Sequence, residues 1–379
     1  MKSEIEKDLF SINEDRIAEV DRKLEKVTAF LSDKGIDAVL ISAHENIAWA
    51  TAGLADVRVG ILRESGVASL LVTRKGGAYY LTTNNEAERL AKEEFTGLPF
   101  QPIVNPWYAN DVRASVAKII GNGEVAGDMG QQGYKLLPLQ SLRYELTDNE
   151  VARYRWLGRH AAETTVGVLR QYQHGMSERL LQAMLAARLI EQGIMPSVYL
   201  TSVDARVLAF RHSVPRDGVL ERLGMLGFCA RRWGLTVAIT RYVQFGAGAA
   251  EIDERFAAVA QVNARLLAAT RKGITSDALF TVAAEAYAVL GYPGEERMHH
   301  QGGATGYFER EWVARPGGTE EVLSQQAFAW NPNIQGAKLE DTVLLRNGAV
   351  ELLTATPELP TVTTSWGGAE YRSAGVLRN

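Results

Sequence analysis

From residue 147 onward one succession occurs twice: long helical stretches lead into closely spaced strands, and then the same order returns. The segment LTDNEVARYRWLGRHAAETTVGVLRQY carries a cap signal at Thr147-Asp148 and a long helical period. A second helix is expected from Ser177 in SERLLQAMLAARLIEQG, with Glu178 in its first turn, where the helix dipole favours an acid. The strand-like runs VYLTSVDA, LGMLGFCA and GLTVAITRYVQFG follow. Two more helices fill 250–290, and the remainder returns to strands and loops. Helices that bury a face on antiparallel strands, twice over, predict a duplicated α+β half.

The preceding region has a different character. Residues 14–34 place Ile17, Val20, Leu24, Val27, Phe30 and Leu31 at helical spacing, and Gly35 closes that helix. IDAVLIS (36–42) reads as a buried strand, followed by strands in VGILRE, VASLLVTR and GAYYLTT. A helix over 84–95 is expected to be capped by Asn84 or Asn85. This strand–helix alternation predicts a small α/β domain over 1–146, ahead of the duplicated domain over 147–379.

With 46% hydrophobic and 23% charged residues in a chain of 379, a full core can be buried. The net charge is -4, with acids and bases interleaved. No basic stripe points to nucleic acid, and no polybasic helix points to a membrane surface. The N-terminal stretch MKSEIEKDLFSINEDRIAEVDRKLEKV has no apolar core of a secretion leader. No apolar run approaches the ~18 residues of a spanning helix. A single Cys229 forms no intrachain disulfide. The expectation is a soluble protein of the cytoplasm.

The chemistry-bearing stretch is AFAWNPNIQGAKLEDTVLL (327–345). Glu340-Asp341 opens a β-rich run, and Asn331-Pro332 ends another. A Glu at 331 would let two carboxylates on adjacent strands grip a divalent cation. The chain has Asn.

Several fragments carry a resemblance. ENIAWATAGL (45–54) is similar to an "NI-x-YLTG" turn, and LTDNEVARYRWLGRHAAE to a linker helix. RHSVPRDGVLERLG (211–224) resembles an "HHRPTDRVLEPGD" loop, HHQGGATGYFERE an "H-x-x-GHGIGL-x-x-HE" strand, and KLEDTVLL an "RIEDTVLV" strand. In this order, across nearly the whole chain, they resemble the pita-bread family of creatinase, Xaa-Pro aminopeptidases, prolidases and methionine aminopeptidases (peptidase M24-like). The resemblance implies an amino-terminal creatinase-type α/β domain and a carboxy-terminal pita-bread domain.

The family's metal site takes two Asp from a hairpin, a His from a glycine-rich strand and two Glu from the last strands. The resemblance places Gly227 and Ala238 at the Asp positions, Gly303 at the His and Asn331 at the first Glu, so that only Glu340 matches. Glu221 is the single acid in 218–240. No metal ligands and no cofactor are therefore expected. Within this fold, creatinase is the precedent for hydrolysis without metal. The resemblance assigns His212 as general acid/base and Glu340 as its carboxylate, with Thr240 where creatinase has a second Glu. A histidine of ordinary pKa can take and return a proton near neutral pH.

The expected function is a metal-independent, creatinase-like hydrolase or lyase acting on a C–N bond of a small molecule or short peptide-like substrate. Arg231, Arg232 and Arg241 on the hairpin favour an anionic or neutral substrate over a guanidinium. The alternatives are a non-catalytic small-molecule-binding protein and an Xaa-Pro-type metallopeptidase. Thr240, Asn331, His299, His300, Arg58 and Trp49 are the candidate substrate contacts. The last two come from the 46–63 turn of a second copy in a homodimer, where that turn lids the site.

Bland readings stand beside these. His212 reads equally as a loop histidine, Glu340-Asp341 as strand-edge charges, Asn331-Pro332 as a turn, and His299-His300 as a helix end. Trp49, Trp330 and Phe328 fit a core, and Cys229 fits a small buried hydrophobe. GGATG (302–306) lacks the Lys and the following helix of a phosphate loop.

Overall fold

The computed structural model describes residues 12–248 and 250–379. Residues 1–11, which open the stretch read above as lacking a secretion leader, lie outside the described residues. Among the described residues no helix is long and apolar enough to cross a membrane. The chain divides into two compact units. One comprises the chain to Arg143 with Thr147–Arg153 and Trp233–Leu235; the other comprises Tyr144–Leu146, Tyr154–Arg232 and Thr236–Asn379.

The first unit opens with α1 (Glu14–Lys34). Asn13 caps it by accepting from Arg16 N at 2.9 Å, and Gly35 ends it in the left-handed region at φ 68°. Its sheet contains β1 (Ala38–Ala43), β2 (Ser65–Thr73), β3 (Ala78–Thr83), β4 (Gln101–Asn105), β5 (Val125–Gly127) and β6 (Lys135–Leu136), in the order β4-β3-β2-β1-β5-β6. β1 runs antiparallel to β2 and parallel to β5. The helix expected over 84–95 is a short helical turn, Ala87–Arg89, continued by a π-turn, Leu90–Glu94. Neither Asn caps it, because Asn84 Oδ1 accepts from Trp107 N instead, and Asn85 engages Thr83.

Within this unit α1 buries charge as well as apolar surface. The Lys23 ammonium lies 2.7 Å from both Glu19 and Glu150, and Arg153 forks onto Glu19 at 2.7 and 3.0 Å. Burial pushes the Glu19 carboxyl up, but the Lys23 ammonium and then the Arg153 guanidinium outweigh it and bring it down to about 2. A carboxylate depressed from an unfolded value of 4.5 stabilises the fold above that pH and loses the contribution as pH falls through its folded value. The urea midpoint is therefore expected to fall between pH 4.5 and 2 by the equivalent of ~3 kcal/mol. Glu19→Gln should flatten that acid limb.

The second unit begins with α2 (Asp148–Leu169), whose first residues are grouped with the first unit. Next come α3 (Glu178–Glu191), β7 (Met195–Val203), β8 (Leu223–Arg232), β9 (Leu235–Gln244), α4 (Ala250–Ala269) and α5 (Ser276–Val289). Ser177 and Thr275 cap α3 and α5 through their side chains. The strands β10 (Gly302–Thr305), β11 (Trp312–Val313), β12 (Gln326–Trp330), β13 (Asn333–Ile334), β14 (Ala337–Lys338), β15 (Asp341–Arg346) and β16 (Ala349–Leu352) follow, then the hairpin β17–β18 (Thr361–Trp366, Ala369–Ala374) and β19 (Leu377–Arg378). The strands of this unit form a five-stranded sheet, β11-β10-β12-β15-β16, a four-stranded one, β19-β9-β8-β7, and the two-stranded pairs β13-β14 and β17-β18.

The period-2 alternation of β12 and β15 decides where the polar residues go. Phe328, Trp330, Val343 and Leu345 join the core built from α4 and α5, including Val259, Val262, Leu266, Leu279 and Tyr287. On β12, β8 and β9, Ala329, Cys229 and Ala238 form a separate small cluster. A bridge between Thr240 and Glu340 ties β9 to the start of β15.

Candidate active site

His212 sits on the loop between β7 and β8, and two carboxylates pin that loop. Glu178, fully buried, accepts from Val203 N at 3.0 Å, Arg206 Nε at 2.9 Å and Arg216 N at 2.7 Å. Asp204 accepts from the amides of Glu221, Arg222 and Leu223, each at 2.8 Å. Its φ of 49° is a left-handed value that costs a non-glycine residue on the order of 1 kcal/mol, offset by these three charge-assisted bonds.

His299 and His300 lie between a short helix, Glu295–Met298, and β10. His299 Nε2 is 2.7 Å from His212 Nε2, and the His299 and His300 rings stack with centroids 4.4 Å apart. The protons follow from the network. Arg211 donates to Asn333 Oδ1, so the Asn333 amide nitrogen faces His299 Nδ1, at 2.9 Å. That makes His299 Nδ1 an acceptor and its Nε2–H the donor to His212 Nε2. Tyr287 on α5 fixes the surroundings, donating to Gln301 at 2.6 Å and accepting from Asn333 N at 2.8 Å. Burial lowers all three histidines. The charge of Lys338 adds to it at His212, His300 and Lys338 bring His299 to about 2, and Arg310 helps bring His300 to about 4. They are neutral at physiological pH.

Glu340 is buried and saturated. Oε2 accepts from Thr240 Oγ1 at 2.7 Å and pairs with Lys338 Nζ at 3.0 Å. Oε1 accepts from Arg310 Nη2 at 3.0 Å and from Asn331 Nδ2 at 3.4 Å. Burial would raise its pKa, but Lys338, Arg310 and the Thr240 hydrogen bond hold it far below the carboxylate range. Its charge acts on all three histidines. Thus Thr240, Asn331 and Glu340 make one cluster, and His212, His299 and His300 another in the same electrostatic field.

Other sequence candidates lie elsewhere. Trp49 is 1% exposed in the core of the first unit, with the Lys23 ammonium 5.6 Å from its ring, so it presents no surface to a ligand. Arg58 is fastened to Asp56 at 2.8 and 3.0 Å. The hairpin arginines expected to bias substrate charge are also engaged. Arg231 pairs with Glu309 at 3.1 Å, Arg232 stacks over Trp156, and Arg241 is buried against Asp341 at 2.6 Å. The cations that do face the site, Lys338 and Arg310, were not singled out from the sequence.

The model of metallopeptidase family M24 matches residues 153–347, just over half of the chain. The chain belongs to this family. The creatinase/prolidase N-terminal domain model matches residues 23–212. An Xaa-Pro dipeptidase of Pyrococcus furiosus is 22% identical over 360 residues, 88% of this chain and 98% of the relative. The crystal structure of the prolidase from Pyrococcus horikoshii OT3 matches with a TM-score of 0.73 at 19% identity, covering 88% of this chain and 98% of that one. Dipeptidase PepE from Mycobacterium ulcerans gives 0.73 at 17% identity, over 90% and 97%. These structures share the α+β pita-bread fold expected from the sequence.

M24 membership implies a metal centre, and the residues present do not fit one. Glu340 has its lone pairs engaged by four donors, two of them cationic. A Cβ on Gly303 would meet Trp312 O at 2.1 Å, so β11 fills the space a histidine there would need. A Cβ on Gly227 would meet Thr240 Oγ1 at 2.9 Å. Among the described residues no group of three or more His, Cys, Asp or Glu is arranged to hold a metal ion.

Proposed function

We propose that this M24 chain hydrolyses a C–N bond in a short, peptide-like small molecule, with His212 moving the proton. The observation that carries the reading is the 2.7 Å pair between His212 and His299, whose tautomer Asn333 sets. In that arrangement Nε2 is the lone-pair nitrogen of His212: it takes a proton from the attacking water in exchange for the His299 bond, and the imidazolium so formed returns that proton to the leaving amine. Glu340, with its lone pairs occupied, is a positioning residue in this account and keeps Lys338 and Arg310 in place.

The relatives favour a dipeptide-type substrate over a creatinase-type small molecule, since they are named as an Xaa-Pro dipeptidase, a prolidase and a dipeptidase. On relationship alone they favour the Xaa-Pro metallopeptidase reading over a metal-independent one. The saturated Glu340 and the crowded Gly303 position are what support metal independence. Turnover of Xaa-Pro and other dipeptides with and without EDTA separates the two. Hydrolysis that persists in chelator supports the proposal. Activity that appears only with added manganese or cobalt would support the metallopeptidase.

A homodimer and a cytoplasmic location belong to the same reading. The 46–63 turn leaves Val59, Ile61 and Leu62 exposed, an apolar tip suited to a second copy. Light scattering should then give about twice 41.6 kDa. Cys229 is buried with its thiol pushed up to about 12, so it suits a reducing compartment.

A further inference from the structure

We infer that a cavity on the face of β12, β15 and β16 opposite to Glu340 binds a neutral aromatic molecule carrying one hydrogen-bond donor. The cavity measures about 380 Å³, a volume suited to a small ligand. Its floor is Trp330 and Asp341, cross-strand partners on β12 and β15 that share a face. Glu340, one residue earlier, bridges Thr240 on the other face. The walls are Leu267 of α4, Val350 and Leu352 of β16, and Tyr371 of the β17–β18 hairpin. The match to the M24 model ends at residue 347, so β16 and the hairpin bring this cavity residues from beyond it.

The polar groups on this surface set the ligand's chemistry. Asp341, 7% exposed, accepts from Arg241 Nη2 at 2.6 Å and from Thr354 Oγ1 at 2.7 Å, both on Oδ1. Its Oδ2 takes no hydrogen bond among the described residues. A carboxylate oxygen only accepts, so the group that completes it is an N–H or O–H donor. Asn263, also buried, gives one end of its amide to Ser373 at 3.1 Å and leaves the other uncommitted. The charges cancel. Arg241 offsets Asp341, and the two exposed lining residues, Glu370 and Arg372, have opposite signs. A cation therefore meets no unbalanced anion, and an anion would face the Asp341 oxygen. Trp330 commits its indole N–H to Thr270 at 3.0 Å, so it offers ring surface alone, and with Tyr371 it suits a flat aromatic body.

The cavity and its ligand are independent of the hydrolase reading. Saturation-transfer NMR on the full-length protein would titrate indole against benzofuran, which keeps the shape but has an ether oxygen in place of the N–H. Indole should bind saturably below ~10 mM, and benzofuran at least about tenfold more weakly. Tryptamine and indole-3-carboxylate, a cation and an anion built on the same ring, should bind no more tightly than indole. Val350→Trp fills the cavity from β16 and should abolish indole binding without lowering the thermal midpoint. Leu267→Trp fills it from α4 and serves if that variant fails to fold. Should neither fold, Tyr371→Ala removes one wall and should weaken binding. His212→Ala should bind indole as the unmodified protein does.

No saturable indole binding below ~10 mM would overturn the proposal, as would equal binding of indole and benzofuran or tighter binding of either charged analogue. Binding that persists in a folded filling variant, or is unchanged in Tyr371→Ala, would place the probe elsewhere and overturn it too. Loss of indole binding in His212→Ala would put the probe in the candidate active site, with the same consequence.

Discussion

His212→Ala is expected to lower turnover by ~10²–10⁴-fold, the usual contribution of a positioned acid/base, while leaving the thermal midpoint almost unchanged. The residue keeps contact with solvent even though the protein around its ring partly desolvates it, and its one hydrogen bond, to His299, is lost without burying an unpaired group. His299→Ala should cost less, because His299 fixes a tautomer and does not itself deliver the proton. The pH profile separates these roles. With His212 lowered from 6.5, chiefly by burial and then by Lys338, the acid limb of the rate should lie below pH 6.5. Relieving it of the Lys338 charge should move that limb upward. A fully active His212→Ala protein would reduce His212 to a loop residue.

The largest loss of stability is expected from Arg241→Met. Its guanidinium is 2% exposed and donates to Asp341, Thr356, and the carbonyls of Thr240, Glu340 and Thr354. Breaking a buried pair on one side strands the other charge, a cost of about 3–5 kcal/mol. Asp341 already lies above its ordinary value because burial outweighs Arg241, and removing the arginine raises it further. A raised carboxyl stabilises the protonated fold, so that gain is present at low pH and lost as pH rises through the folded value. The deficit of the variant, read from urea midpoints, should therefore be largest at neutral pH and shrink toward pH 4. A deficit independent of pH would mean that packing, not the stranded Asp341, dominates.

Much of the architecture was legible because it rests on periodicity. Val20, Val27 and Leu31 repeat at helical spacing and are buried, and Gly35 takes the left-handed conformation that ends α1. The runs at 223–232 and 235–244 are strands, and Phe328 and Trp330 do fill a core. The caps expected for the 84–95 helix were misread, because Asn84 and Asn85 resemble caps in sequence but spend their side chains on Trp107 and Thr83, and the helical turns run only from Ala87 to Glu94.

The site was half legible. Motif order picked out His212, His299, His300, Thr240, Asn331 and Glu340. It attended to carboxylates and imidazoles that a metal would want, and so passed over Lys338 and Arg310. A signal was there for both. Lys338 lies two residues before Glu340, and Arg310-Glu311 stands where the resembled strand ends in His-Glu. The arginines that were noticed, 231, 232 and 241, looked free because sequence does not show that Glu309, Trp156 and Asp341 lie beside them.

Elemental analysis of the purified, unchelated protein tests the central claim most directly, because two built-in cations and a saturated Glu340 leave too few hard donors for a metal pair. The account predicts transition metal well below one equivalent per chain, with dipeptide hydrolysis undiminished at that level. Close to two equivalents of manganese, cobalt or zinc, lost together with activity on chelation, would contradict it.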